Sequence, residues 1–172
     1  MKKLFLAAGL PLLLFSCDNR DRDLTGKWQA IKLDNPSLEE IVVEQQQFID
    51  SFGSNTTPEQ NDTLYGTRNI DSMRRELQLQ VDSFKAIQQQ TLEMTQFEFL
   101  KNKTAILYFG GAPDSASWYF DDDGALILDE LKLKGTGTKT RMEIETLTKD
   151  TLRLRFTENG ITSSATFRPL SK

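Results

Sequence analysis

From Thr95 to Pro169, apolar and polar side chains alternate, and turn-forming residues interrupt the alternation every few positions. A period of two belongs to a strand with one face buried, so this stretch constrains the fold more than any other. Leu152, Leu154 and Phe156 share one face, and Arg153 and Arg155 take the other. Asn159-Gly160 follows, and a type I′ hairpin turn needs the positive φ that these two residues accept most readily. A two-residue loop there fixes the register: Phe156 faces Ser163, Leu154 faces Ala165 and Leu152 faces Phe167. Large faces small in two of the three pairs, which suits a curved interior.

The same reading runs backwards along the chain. Phe97 and Phe99 flank Glu98 on one strand, and Lys101-Asn102-Lys103 turns it. Ile106 to Phe109 is a nearly continuous apolar strand, and Gly110 to Asp114 is a loop. Trp118-Tyr119-Phe120 is a strand. Asp121-Asp122-Asp123-Gly124 is a turn, with glycine where positive φ is cheap. A strand over Ala125 to Leu131 returns, and Gly135-Thr136-Gly137 breaks the chain. Met142 and Ile144 alternate with Glu143 and Glu145. Setting Leu154 against Ile144 across the Lys149-Asp150 turn requires an odd loop or a β-bulge. Seven strands therefore follow Met94, and a meander of that length tends to close and hide its edges.

An eighth strand precedes them, over Leu24 to Leu33, with Trp28 at its centre. Between it and the meander, residues 37–93 read as a helical insertion. Ser37-Leu38-Glu39-Glu40 fits a capping box, and Leu38, Ile41, Val42, Phe48, Ile49 and Phe52 fall at helical spacing up to Gly53. Ser54 to Asp62 is polar and loop-like, although Thr57-Pro58-Glu59-Gln60 can start a helical turn. A second helix runs from about Thr67 to Leu92, with Ile70, Met73, Leu77, Val81, Phe84 and Ile87 as its stripe. Two such helices pack as a hairpin or lie across the barrel. Glu39, Glu40 and Glu44 stand where they could pair with Arg74 and Arg75, and the two glutamine runs read as solvated faces. The insertion is either a lid or partner-binding arm, or a cover for apolar barrel surface.

The start of the chain is an address. Met1-Lys2-Lys3 is basic, Leu4 to Phe15 is apolar and too short to span a bilayer, and Ser16-Cys17 ends it. Leu14-Phe15-Ser16-Cys17 resembles the bacterial lipobox. That resemblance implies a signal peptide over residues 1–16, diacylglycerol on the Cys17 sulfur and palmitate-type acylation of the new amine. Several acyl chains give stable anchoring, at about 0.8 kcal/mol per buried CH₂. Residues 17–23 carry no apolar side chain beyond Cys17 and read as a lipid-anchored tether. Its acidic residues are also similar to surface-export signals of Bacteroidetes lipoproteins. Residues 24–172 form a single domain.

Gly26-Lys27-Trp28 resembles the Gly-x-Trp opening of lipocalins, whose first-strand tryptophan plugs one end of an eight-stranded barrel. The chain as a whole resembles the small lipocalin-like domain lipoproteins of Bacteroidetes. The lipobox, Gly-x-Trp, the Phe97-Glu98-Phe99 hairpin and the Leu147 to Leu154 segment carry that likeness, and the stretch from Pro36 to Met94 departs from it. The resemblance implies a mostly β fold: an eight-stranded antiparallel up-and-down lipocalin-like barrel, with a helical hairpin between strands 1 and 2. It further implies a non-catalytic binding protein of the cell envelope, held on the outer membrane.

The residue inventory narrows the chemistry. The chain has no histidine and one cysteine, which excludes a histidine-based triad and thiolate or imidazole metal sites. Asp121, Asp122 and Asp123 lack the spacing of a Ca²⁺ loop. A carboxylate pair for glycoside chemistry is not singled out. The formal net charge of −4 becomes more negative once Lys2 and Lys3 leave, which argues against nucleic acid as a partner. No enzyme, cofactor or metal is expected. The aromatic residues on predicted strands, Trp28, Phe97, Phe99, Tyr108, Trp118, Phe120, Phe156 and Phe167, either line an apolar ligand pocket or fill the barrel themselves. The expected partners are the membrane through Cys17, and either a small apolar ligand or an envelope protein that binds the helical insertion.

Overall fold

The computed structural model describes residues 19–170. Cys17, and with it the proposed leader and acylation site, lies outside the described residues. Eight strands run up and down and close on themselves: β1 (Gly26–Asp34), β2 (Thr95–Phe99), β3 (Thr104–Phe109), β4 (Asp114–Phe120), β5 (Leu126–Asp129), β6 (Lys139–Leu147), β7 (Leu152–Glu158) and β8 (Ile161–Pro169). Every neighbouring pair is antiparallel, and β1 pairs with β8 to seal the cylinder. This is the expected eight-stranded, lipocalin-like barrel, and closure leaves no strand edge unpaired.

The hairpin at Asn159-Gly160 has the register that its sequence demands. Asn159 and Gly160 take φ of 50° and 82°. Phe156 faces Ser163, Leu154 faces Ala165 and Leu152 faces Phe167. Of the odd loop or bulge expected near Ile144, the structure has the bulge. Ile144 pairs with Leu154 and Leu147 with Leu152, and the register shifts between Ile144 and Thr146. The extra residue lets Ile144 and Leu147 both face inward, although they are three apart. A second bulge, which the sequence reading does not include, lies between Ala30 and Lys32 on β1. Strict alternation from Ala30 would turn Lys32 into the barrel. The bulge turns Leu33 inward instead.

The insertion between β1 and β2 is helical, with three helices: α2 (Pro36–Ser51), α3 (Pro58–Tyr65) and α4 (Ile70–Met94). The N-cap of α2 is Asn35, whose side chain accepts from the Leu38 amide, and Pro36 opens the helix. This corrects the capping box placed at Ser37: proline at the first helical position moves the start two residues earlier. The segment read mainly as a loop holds α3, begun by a capping box between Thr57 and Gln60. The helices α2 and α4 form the hairpin. Their polar link is Gln46 Nε2 donating to Gln78 Oε1 at 3.0 Å. Arg74 Nε donates to the Phe52 carbonyl oxygen at 2.7 Å and pairs with Asp71, so it does not reach the α2 glutamates.

Two further segments differ from expectation. The strand read over Ala125 to Leu131 stops at Asp129, whose carboxylate accepts from the Lys132 amide and caps a short helix, α5 (Glu130–Lys134). Part of the segment read as a tether, together with Leu24, read as the start of the first strand, forms a helix, α1 (Arg20–Leu24); its Leu24 is fully buried, and β1 begins only at Gly26. Only one apolar side chain marks it, so no periodicity announces it.

Both ends of the barrel follow from this order. The loops β2–β3, β4–β5 and β6–β7 and the end of β8 lie at one end, where α1 sits. The helical arm and α5 leave from the other end. Trp28, Phe99 and Trp118 are buried to 3% exposure or less and close the first end. Phe99 and Trp118 meet edge to face at 5.8 Å, a favoured aromatic geometry.

A candidate ligand site at the barrel mouth

The other end is hollow. A cavity of about 1230 Å³ opens to solvent between the barrel mouth and the arm. Its floor is barrel core: Ala30, Phe97, Leu154, Ala165 and Phe167, all buried. Small residues on β1 and β8 leave space that the large residues opposite do not fill, which is the physical origin of the hollow. Phe97 and Phe167 pack against each other in that floor, with ring centroids 4.9 Å apart and planes tilted by 34°. Phe156, Met142 and Phe109 form the wall, and Leu38 and Val42 on α2 with Phe84 and Leu92 on α4 form the roof.

The rim is charged. Glu143 and Arg155 are partners on neighbouring strands, with Arg155 Nε to Glu143 Oε2 at 3.0 Å. The Arg155 guanidinium holds the Glu143 carboxyl below the usual range, so it stays ionised. Arg141 also lines the cavity, while its Nε donates to Asp121 Oδ2 of the β4–β5 turn, towards the closed end, at 2.9 Å. Glu39 and Lys85, which both line the roof, make no ion pair among the described residues. An apolar chamber with a few charged groups at its opening suits a small molecule that is mostly hydrocarbon.

The residues singled out from sequence divide between the two ends. Phe97, Phe156 and Phe167 line the cavity. Trp28, Phe99, Trp118 and Phe120 lie in or against the packed core towards the closed end. Tyr108 takes the outer face of β3, because Ala105 and Leu107 on the same strand point inward. The aromatics are thus neither all lining nor all filling.

Gln29 was not anticipated. Its strand position is outward-facing, yet it is buried at 8% exposure under the end of α4. Its Nε2 donates to the carbonyl oxygens of Glu93 at 2.7 Å and Thr95 at 3.0 Å. The last carbonyls of a helix lack partners within it, and Gln29 supplies one from the barrel wall. This pins the exit of the arm to the rim of the mouth. A lone glutamine in a strand carries no signal for such a role.

Among the described residues, no group of three or more His, Cys, Asp or Glu could hold a metal ion, and no helix is long and apolar enough to cross a membrane. Comparison of the chain with protein-family models, with curated proteins and with solved structures finds no match.

Proposed function

We propose that this protein is a lipid-anchored binding protein of the cell envelope, non-catalytic, that holds a small apolar molecule in the barrel mouth beneath the helical arm. The lipobox ending at Cys17 supports the anchor and a place on the outer membrane. The cavity carries the ligand reading: its floor, wall and roof are apolar, and its volume of about 1230 Å³ suits a lipid-sized guest. Burying roughly 300 Å² of apolar ligand surface supplies about 7 kcal/mol, against which the cost of association is set.

Native mass spectrometry of the protein purified from its own cells tests this reading. A non-covalent adduct of lipid-like mass, lost on denaturation, is expected on top of the acyl chains borne by Cys17. The mass of the acylated chain alone in every native preparation would count against it. The anchor is checked separately, by palmitate labelling that Cys17→Ala abolishes.

A second reading rests on the arm. Phe48, Leu64, Leu79 and Ile87 are each more than half exposed. Apolar side chains on a projecting helical unit favour an accessory lipoprotein that binds an envelope protein. A co-purifying protein without a small-molecule adduct would favour it over the first.

A further inference from the structure

We propose that the closed end of the barrel rests against the headgroups of the bilayer that anchors the protein, so that the cavity mouth and the helical arm face away from that bilayer. This rests on the reading of Cys17 as the acylated residue. It adds an orientation, and with it the side from which cargo enters.

The helix α1 is fixed to the closed end, not free. Leu24 is fully buried, and its carbonyl oxygen accepts from Trp28 Nε1 at 2.8 Å. Asp21 pairs with Lys103 of the β2–β3 turn at 2.6 Å. Arg20 lies over the Phe120 ring at 4.8 Å and donates to the Gly124 carbonyl oxygen of the β4–β5 turn at 3.4 Å. The approach is close: a Cβ on Gly124 would meet Arg20 Nη1 at 2.5 Å. The chain is therefore held to two closed-end loops from Arg20 onward.

Three residue steps separate Arg20 from Cys17. Fully extended, they span at most about 11 Å. The barrel is taller than that, since β1 and β8 of nine residues each run roughly 30 Å along the strand. A link this short, leaving from the closed end, brings that end to the headgroup layer and keeps the mouth off it.

The distribution of surface types agrees. Among the described residues, the strongly exposed large apolar side chains lie on the arm, on α5 or in the mouth half of the strands; Phe48, Leu64, Phe109 and Leu131 are examples. The closed end presents polar and charged residues of both signs, among them Lys101, Lys149 and Asp150, as a headgroup layer requires. The apolar end of the molecule is thus the end that the anchor keeps at a distance. Cargo exchanges with a partner across the aqueous space, not with the anchoring leaflet.

Quenching in vesicles tests the orientation. The full acylated chain is reconstituted into phosphatidylethanolamine–phosphatidylglycerol vesicles that carry a headgroup nitroxide lipid. A fluorophore is placed on Lys101→Cys or Lys149→Cys at the closed end, or on Leu64→Cys at the arm. Cys17 is the single native cysteine and is consumed by acylation, so each label is unique. Quenching at the closed end is expected to be at least threefold that at Leu64. Equal or greater quenching at Leu64, in protein that floats with the vesicles, overturns the orientation. Failure to float overturns the anchor on which it rests and is recorded first. A flexible spacer of twenty residues inserted after Asp18 is expected to equalise the two positions. Preference retained with the spacer overturns the role of the short link.

Discussion

The indole nitrogen of Trp28 donates to the carbonyl oxygen of Leu24 at 2.8 Å. The bond joins the first strand to α1, four residues upstream, and it holds the lid of the closed end in place. Trp28→Phe keeps most of the apolar volume and removes the donor, leaving a buried carbonyl unpaired. A loss of about 1–2 kcal/mol is expected, or a fall in Tm of roughly 4 °C by differential scanning calorimetry. Trp28→Tyr places its hydroxyl elsewhere and is expected to lose as much.

The hairpin turn gives a paired expectation. Gly160 takes φ of 82° and Asn159 takes 50°. Gly160→Val is expected to cost about 1–2 kcal/mol, because a branched residue is forced into the left-handed region. Asn159→Gly relieves that conformation and is expected to leave stability within about 0.5 kcal/mol. Urea unfolding of the two variants checks the contrast.

Arg153 spans the seam of the barrel. It reaches Glu145 on β6 at 2.6 Å, Thr166 on β8 at 3.2 Å and Asp34 on β1 at 2.9 Å. The Asp34 carboxyl is held below its ordinary value by its bond with Lys32, burial opposes this, and Arg153 adds to the lowering. A carboxyl lowered on folding contributes stability above its unfolded pKa and loses it as the pH falls through the folded value. Stability is therefore expected to drop on acidification below about pH 4. Arg153→Met is expected to flatten that drop in thermal melts taken between about pH 5 and pH 2, and to lower Tm slightly at neutral pH.

Much of the barrel was legible because its cause is local. Asn159-Gly160 states a turn, and the alternation around it states a register. Matching Leu154 with Ile144 across the Lys149-Asp150 turn states that an odd loop or a bulge must intervene. What stayed hidden depends on partners distant in sequence. Leu24 is a lone apolar residue whose burial is decided by Trp28 and by the turns at Lys103 and Gly124. Asp129 ends β5 because its side chain bonds the Lys132 amide, which a continuing apolar pattern through Leu131 conceals. The hollow was open to either outcome, since the space beside Phe97 and Phe167 depends on where the pairing of β1 with β8 places Ala30 and Ala165. Gln29 had no signal, because its partners are carbonyls that any sequence would supply.

The arm is expected to open without the barrel. Val81 is buried at 3% exposure between α4 and its neighbours, and Gln29 ties the helix end to the rim. Val81→Asp is expected to raise amide hydrogen exchange across α2 and α4 while the strands keep their protection. Equal loss of protection in the strands would mean that arm and barrel unfold as one unit.

The hollow itself is tested most directly by titration with N-phenyl-1-naphthylamine, a neutral apolar dye whose emission rises out of water. Saturable binding of one dye per protein is expected, and it is lost in Ala165→Phe, which fills the floor, and in Phe156→Arg, which charges the wall. No saturable rise, or an unchanged titration in both folded variants, would contradict an apolar ligand chamber at the barrel mouth.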